Sequence, residues 1–382
     1  MATYFWVGGS GTWDASSTAN WALTSGGLPG IAAPTNADTV TFDSASGTGT
    51  CTTAAGSVCA TASLNSATLG LTLGANHTMS GTFTLTSGTL TIGNFVLTCN
   101  IFSTSNANVR NITFGSGSIN LTGNNATVWT NATSTNFTIS GTSKVNCVYA
   151  GSTGTRTINS TASSGEAHAI NLNISAGSDT INIANMSALG SVNFTGYTGI
   201  SAVNNATRSF YGGLTLAPNM TFASGTALTQ FLSTTNQNIT LNGVTLDFRL
   251  SFNGIGGTFA FQDALTQGST RTFTIVNGTV KLKSGVTSTV GVFVANNANT
   301  KSLQSTTPGS QATISQASGT VTVADLTIRD SNAIGGASWT AYADYENTDA
   351  GNNDGWNFGL SPPYESYEPP IIIRSFTQPR RF

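Results

Sequence analysis

Charge is what this sequence has least of. Only 7% of its 382 residues are charged, and the formal net charge is −2. A balance this thin leaves no electrostatic footprint for nucleic acid, so no nucleic-acid partner is expected. Between residues 44 and 165 there is no Asp or Glu at all, so that span cannot by itself supply the paired carboxylates of glycoside hydrolysis. The chain has 2 histidines, His77 and His168, and its 4 cysteines form no CxxC. That excludes the usual zinc spacings and any recognisable Ser-His-Asp set. No P-loop or GxGxxG leads from a strand into a helix, and no metal or cofactor is expected. No apolar run is long enough for a membrane helix, so membrane insertion is not expected. The opening MATYFWVGGSG lacks the basic and apolar regions of a secretory leader. Without such a leader, Cys51, Cys59, Cys99 and Cys147 read as free buried thiols, with a Cys51–Cys59 bridge as the rival reading.

Helical periodicity is also missing almost everywhere, which disfavours α/β folds. What is present instead is glycine, 43 residues of it, with Thr, Ser and Asn between short apolar phrases on a two-residue beat. Residues 82–112 read TFTLTSGTLTIGNFVLTCNIFSTSNANVRNI, and residues 269–303 repeat the phrase as STRTFTIVNGTVKLKSGVTSTVGVFVANNANTKSL. Phe83, Leu85, Gly88, Leu90 and Ile92 match Phe273, Ile275, Gly278, Val280 and Leu282 at one offset (273 − 83 = 190). After one inserted residue Asn106-Ala107-Asn108 matches Asn297-Ala298-Asn299, and a basic residue follows in each copy, Arg110 or Lys301. Similar phrasing fills the interval, which argues for stacked repeats rather than a sandwich. The expected fold is all-β: a right-handed parallel β-helix with aromatic end caps and an extended, Pro-rich C-terminal arm. Turns of roughly 20–28 residues would stack at ~4.8 Å.

The two ends differ from the middle. Residues 1–43 hold Trp6, Trp13 and Trp21, which read as an N-terminal cap over the open end of the stack. A sugar-stacking platform is the rival reading of the same tryptophans. The body is expected over 44–320. Residues 321–359 carry Trp339, Tyr342, Tyr345 and Trp356 and read as the C-terminal cap. Residues 360–382 hold five of the 9 prolines, which favours an extended arm. Its Ile371, Ile372 and Ile373 have no local core, and Arg374, Arg380, Arg381 and Phe382 follow. These seven residues are the expected partner-docking set.

Carboxylates elsewhere admit two weaker readings. Asp247 and Asp263, or Asp325 and Asp330, are candidate pairs for glycan cleavage; Asp247 and Asp263 read equally as turn or outward residues. The stretch Asp344–Asp354, DYENTDAGNND, is the densest acidic patch, but it lacks the terminal bidentate Glu of a calcium loop.

The phrases VTLDFRLSFNGIGGTFAFQDALT, RTFTIVNGTVKLKSG and NLNISAGSDTINI, with the opening GGSGTW…NW…DTVTF and the closing DSNAIGGASW…DAGNNDGWNF, carry a resemblance. Over about residues 3–358 the chain resembles β-repeat proteins of tailed bacteriophages and viral metagenomes, mostly uncharacterised and taken to be virion structural or fibre-like proteins. The resemblance implies a non-enzymatic component of a phage particle: a fibre, spike or head decoration, made in the host cytoplasm and found in the virion. By analogy it implies a homo-oligomer, a trimer, held to other virion proteins and in contact with host surface glycan. It implies no catalytic residues and does not extend past Gly359. A glycan-degrading tailspike and a bacterial surface adhesin are the alternatives.

Overall fold

Thr82–Gly93 shows how this sequence makes its fold. Phe83, Leu85, Leu90 and Ile92 alternate with threonines, and all four are buried at 0–1% exposure. The alternation slips at Thr86-Ser87-Gly88, and the strand bends there. Gly88 has φ +95°, and a Cβ on it would stand 2.2 Å from the carbonyl oxygen of Ser66. Only glycine fits a corner this tight and left-handed. The residues before the bend pair with Thr61–Asn65 and Ile101–Ser103. Those after it pair with Leu69–Leu73 and Arg110–Phe114. One strand thus belongs to two faces of a stack.

Repeated along the chain, this gives a parallel β-solenoid of about 14 turns, with about 2% helix. The computed structural model describes residues 1–124, 126–160, 166–184, 188–202 and 207–360. Each turn visits three faces in the same order. The first face stacks Thr39–Phe42, Thr61–Asn65, Ile101–Ser103, Ala126–Thr130 and Thr155–Asn159. The second stacks Gly49–Thr53, Leu69–Leu73, Arg110–Phe114 and Phe137–Ser140. The third stacks Val96–Cys99, Ser118–Leu121, Val145–Cys147 and Ile170–Ile174. It continues without a break through Ala188–Asn193, Leu214–Thr215 and Asn236–Thr240 into Arg249–Phe261 and Thr272–Leu282. Turn length varies: stacked side chains are 22 residues apart at Thr39 and Thr61, and 27 at Thr113 and Ser140.

The interior is one apolar column from Trp6 to Trp356. Each buried Val, Leu, Ile or Phe side chain contributes about 1.5–3 kcal/mol. Equivalent rings from successive turns stack: Phe83 on Phe102 at 5.4 Å, Phe102 on Trp129 at 4.9 Å, and Phe231 on Phe252 at 5.1 Å. Trp129, away from both ends, belongs to this ring stack. Outward positions carry hydroxyl and amide ladders, such as Asn146 Nδ2 donating to Asn120 Oδ1 at 2.7 Å. At the N-terminal end Trp21–Ala22 pairs antiparallel with Thr3–Trp6. Trp21 stands edge-on to Trp6 and Trp13, at 5.1 and 5.4 Å. At the other end Trp339 and Trp356 meet at 4.9 Å over Phe293.

The cysteines are free and buried, so the Cys51–Cys59 bridge does not form. The physical reason is placement on different faces: Cys51 stacks on Leu71 in the second, while Cys59 bridges to Met79 beside the third. Burial pushes the Cys59, Cys99 and Cys147 thiols up to about 12, which leaves them unreactive.

Two arginines inside the column have opposite circumstances. Arg156 holds Asp179 through Nε at 2.7 Å and Nη2 at 2.6 Å, with both side chains at 0% exposure. The rings of Tyr149 and Tyr197 flank the guanidinium at 5.6 and 5.8 Å. Arg208 is equally buried and lies against Phe222 and Phe248. Its three guanidinium nitrogens have no hydrogen-bond partner among the described residues, and burial draws its pKa down to about 10. Substitution at the two sites should therefore change stability in opposite directions. Arg156→Met strands a buried Asp179 and is expected to cost about 3–5 kcal/mol. Arg208→Met removes an unpaired charge and is expected to be neutral or to stabilise by about 1–4 kcal/mol. Urea unfolding of both variants checks this; a large loss in Arg208→Met would contradict it.

Candidate functional site: paired corner grooves

The repeated phrase builds the same surface feature twice. In the first copy the bend at Gly88 is followed, one turn on, by the loop Asn106-Ala107-Asn108. Arg110 turns inward beneath that loop at 0% exposure. Its Nε donates to Thr104 Oγ1 at 2.8 Å, Nη1 to Asn108 O at 2.8 Å, and Nη2 to Thr133 O at 2.6 Å. In the second copy Gly278 makes the bend at φ +79°. Lys301 lies beneath the loop at 2% exposure, and its Nζ donates to Asn297 O at 2.5 Å and Asn299 O at 3.0 Å. The basic residue common to both copies is a loop anchor. It satisfies carbonyls that the turn would otherwise strand.

Each bend and anchored loop borders a groove. The first holds about 630 Å³ and is lined by Asp43, Asn65, Ser87, Ala107, Asn108 and Val109, among others. The second holds about 620 Å³, with Ile255, Asn277, Ala298, Asn299, Thr300 and Gln304 in its lining. A turn-to-turn side-chain bond involves a lining residue of each: Ser87 Oγ donates to Asn65 Oδ1 at 3.1 Å, and Asn277 Nδ2 to Asn253 Oδ1 at 2.6 Å. Each has one exposed large aliphatic side chain, Val109 at 61% or Ile255 at 74%. The grooves sit at different corners. Gly88 turns from the first face to the second, whereas Gly278 turns into the third.

Neither groove is set up for proton transfer. The Asp43 carboxylate accepts the Ala45 N–H at 2.9 Å, and the Lys301 ammonium is turned under its loop. A third hollow, of about 490 Å³, lies beside Asp247. That carboxylate is gripped by Arg271 through Nε at 2.7 Å and Nη2 at 3.3 Å. The hydrogen bond from Arg271 holds the acid below its ordinary range. Asp263 accepts backbone N–H groups of Leu241 and Asn242. Asp325 and Asp330 occupy left-handed turn positions at φ +51° and +53°. Asp330 accepts from Asn352 Nδ2 at 2.7 Å and Gly309 N at 3.0 Å, and these bonds hold it low as well. A general acid for glycan cleavage needs a carboxyl pushed the other way. In the acidic stretch, Asp349 Oδ1 accepts Gly351 N and Asn353 Nδ2, and Asp354 Oδ2 accepts Gln311 Nε2. These are turn and buttress contacts. Among the described residues no three His, Cys, Asp or Glu side chains converge as a metal set.

The sugar-stacking reading of Trp6, Trp13 and Trp21 is corrected. Their exposures are 0%, 1% and 0%, so no ring face is open to a ligand; the indoles close the core instead. Ile371, Ile372, Ile373, Arg374, Arg380, Arg381 and Phe382 lie outside the described residues. The last described residue, Leu360, is exposed at 78%. The grooves themselves were not singled out from sequence, although the NAN phrase with its basic follower marks both.

One titratable group is built into the N-terminal end. His77 is at 2% exposure, with its ring 4.8 Å from Trp13, Nδ1 3.0 Å from Ser57 Oγ and Nε2 3.7 Å from Cys59 Sγ. Burial lowers its pKa to about 4. The native state therefore holds His77 neutral, while the unfolded chain binds a proton below about 6.5. Stability from this group is complete above the unfolded pKa and is lost as pH falls from about 6.5 to 4, by about 3 kcal/mol in all. Urea midpoints measured across that interval should fall for the native sequence and stay flatter for His77→Gln. Equal pH slopes in the two proteins would contradict the assignment.

No family model, curated protein or solved structure matches the chain.

Proposed function

We propose that this chain is a non-enzymatic structural component of a bacteriophage particle. The solenoid projects from the particle as a rod, and the C-terminal arm holds it there. The observation that carries the reading is the use made of the carboxylates. Asp38, Asp179, Asp247, Asp263, Asp330 and Asp349 each accept hydrogen bonds that close turns or pin neighbouring strands. Side chains committed in this way build a durable scaffold and leave little acid–base chemistry. The resemblance to virion β-repeat proteins points the same way. A flat, weakly charged surface of Thr and Asn suits a rod that packs beside copies of itself, and a trimer is the proposed assembly.

Attachment is assigned to residues 361–382. Three consecutive isoleucines in water forgo about 1.5–3 kcal/mol each, and proline reduces the entropy lost when such an arm orders on a partner. A chain ending at Leu360 should keep the circular dichroism of the full chain and fail to enter particles. Normal incorporation of the shortened chain would overturn the arm's role. Absence of the full chain from particles would overturn the virion reading itself.

A further inference from the structure

We infer that the two corner grooves are paired binding sites for one neutral, linear oligosaccharide type, taken up once at each corner. This rests on the reading of the rod as a surface-contacting element and gives that contact a location.

Phrases 190 residues apart (273 − 83 = 190) rebuild one design: a positive-φ glycine bend, an Asn-Ala-Asn loop, a buried cationic anchor and a groove of about 630 or 620 Å³. The anchor is an arginine in one and a lysine in the other, yet both point inward to loop carbonyls. Both loops are therefore braced from below, so a ligand meets a surface that is already ordered.

Both grooves cross several successive turns. The first is bordered by Asp43, Asn65, Ser87, Asn108 and Asn136, one from each of five successive turns. The second passes from Ile255 through Asn277 and Asn299 to Thr327, across four turns. At ~4.8 Å per turn each groove runs ~15–20 Å along the rod axis. That shape suits an extended chain.

A polyanion needs a basic lining, and the cation at each groove is spent beneath its loop. An apolar ligand would strip water from the asparagine amides and return no hydrogen bond. An added peptide strand needs an open sheet edge. At these corners the backbone is already paired from turn to turn, as in Gly88 N to Val109 O and Arg110 N to Asn136 O, both 2.9 Å. A neutral glycan supplies alternating hydroxyls for the Asn, Ser, Thr and Gln side chains. Its C–H faces match Val109 or Ile255.

The test is calorimetric titration of the full chain with a set of neutral linear hexasaccharides: α-1,4-glucan, β-1,4-glucan, β-1,4-mannan and β-1,4-galactan. The α-1,4-galacturonate hexamer serves as the anionic control. At least one neutral hexamer is expected to bind with a stoichiometry of two. Ala107→Leu, which fills the first groove, or Ala298→Leu, which fills the second, should reduce it to one, and the double variant should abolish binding. Val109→Asp and Ile255→Asp alter exposed positions and provide the same readout should a loop variant misfold. The inference is overturned by no heat with any neutral hexamer at millimolar concentration. It is also overturned by binding of the galacturonate alone, or by binding that survives the double variant. Incorporation into particles is measured separately, so a rod that assembles normally and binds none of these sugars defeats this inference and leaves the virion reading standing.

Discussion

Everything in this molecule depends on register between successive turns. A parallel solenoid satisfies its backbone only if the N–H and C=O groups of each turn meet those of the next. The side chains at matching positions must then stack on one another. Inside, this selects ring on ring and aliphatic on aliphatic, as in the Phe83–Phe102–Trp129 column. Outside, it selects ladders of Thr and Asn that bond their neighbours above and below. At the corners it selects glycine wherever a preceding carbonyl stands too close for a Cβ, as at Gly88 and Gly278. Turn length is free to vary because the loops between faces absorb the difference without disturbing the stacked strands.

The strands were legible because this constraint writes a two-residue alternation into the sequence, and the repeated TFTLTSGTLTI phrase is its clearest form. The end tryptophans were legible as closures for the same reason: a stack with an open end exposes both its core and its unpaired edge. The role of Arg110 and Lys301 was not. The repeated phrase marks a basic residue in each copy without saying what it bonds, and only the loop carbonyls above it reveal an inward anchor. Nor did the offset between the two copies reveal their phase. A solenoid with three faces can place equal phrases at any of its corners, and the varying turn lengths between residues 88 and 278 set the second copy one corner further round. The arrangement of Cys51 and Cys59 was hidden likewise: nearness in sequence says little once each short segment is assigned to its own face.

The buried charges illustrate a second cost of this architecture. Position in the column is fixed by register, so an arginine on an inward beat enters the core whether or not an acid waits for it. Arg156 meets Asp179 together with two tyrosine rings, and Arg110 meets a ring of loop carbonyls. Arg208 meets phenylalanine faces, whose quadrupole offsets only part of the desolvation. The three arginines show three degrees of compensation within one fold, graded by what the adjoining turns happen to supply.

Register also restricts where such a rod can act. Its faces are sheets whose backbone is already paired and whose side chains already bond along the axis. Its interior is filled. The corners combine bent backbone with variable loop length, so recognition is most readily placed there. A corner loop, however, is also where order is hardest to keep. The buried cation beneath Asn106–Asn108 and beneath Asn297–Asn299 resolves that conflict by tying the loop to the body from inside, while Asn108 and Asn297 clamp it to the preceding turn through Thr86 O at 3.1 Å and Val276 O at 3.2 Å. Asn-Ala-Asn with a basic follower is then more than a turn signal. It is the local sequence needed to hold a polar groove rigid on an otherwise featureless rod.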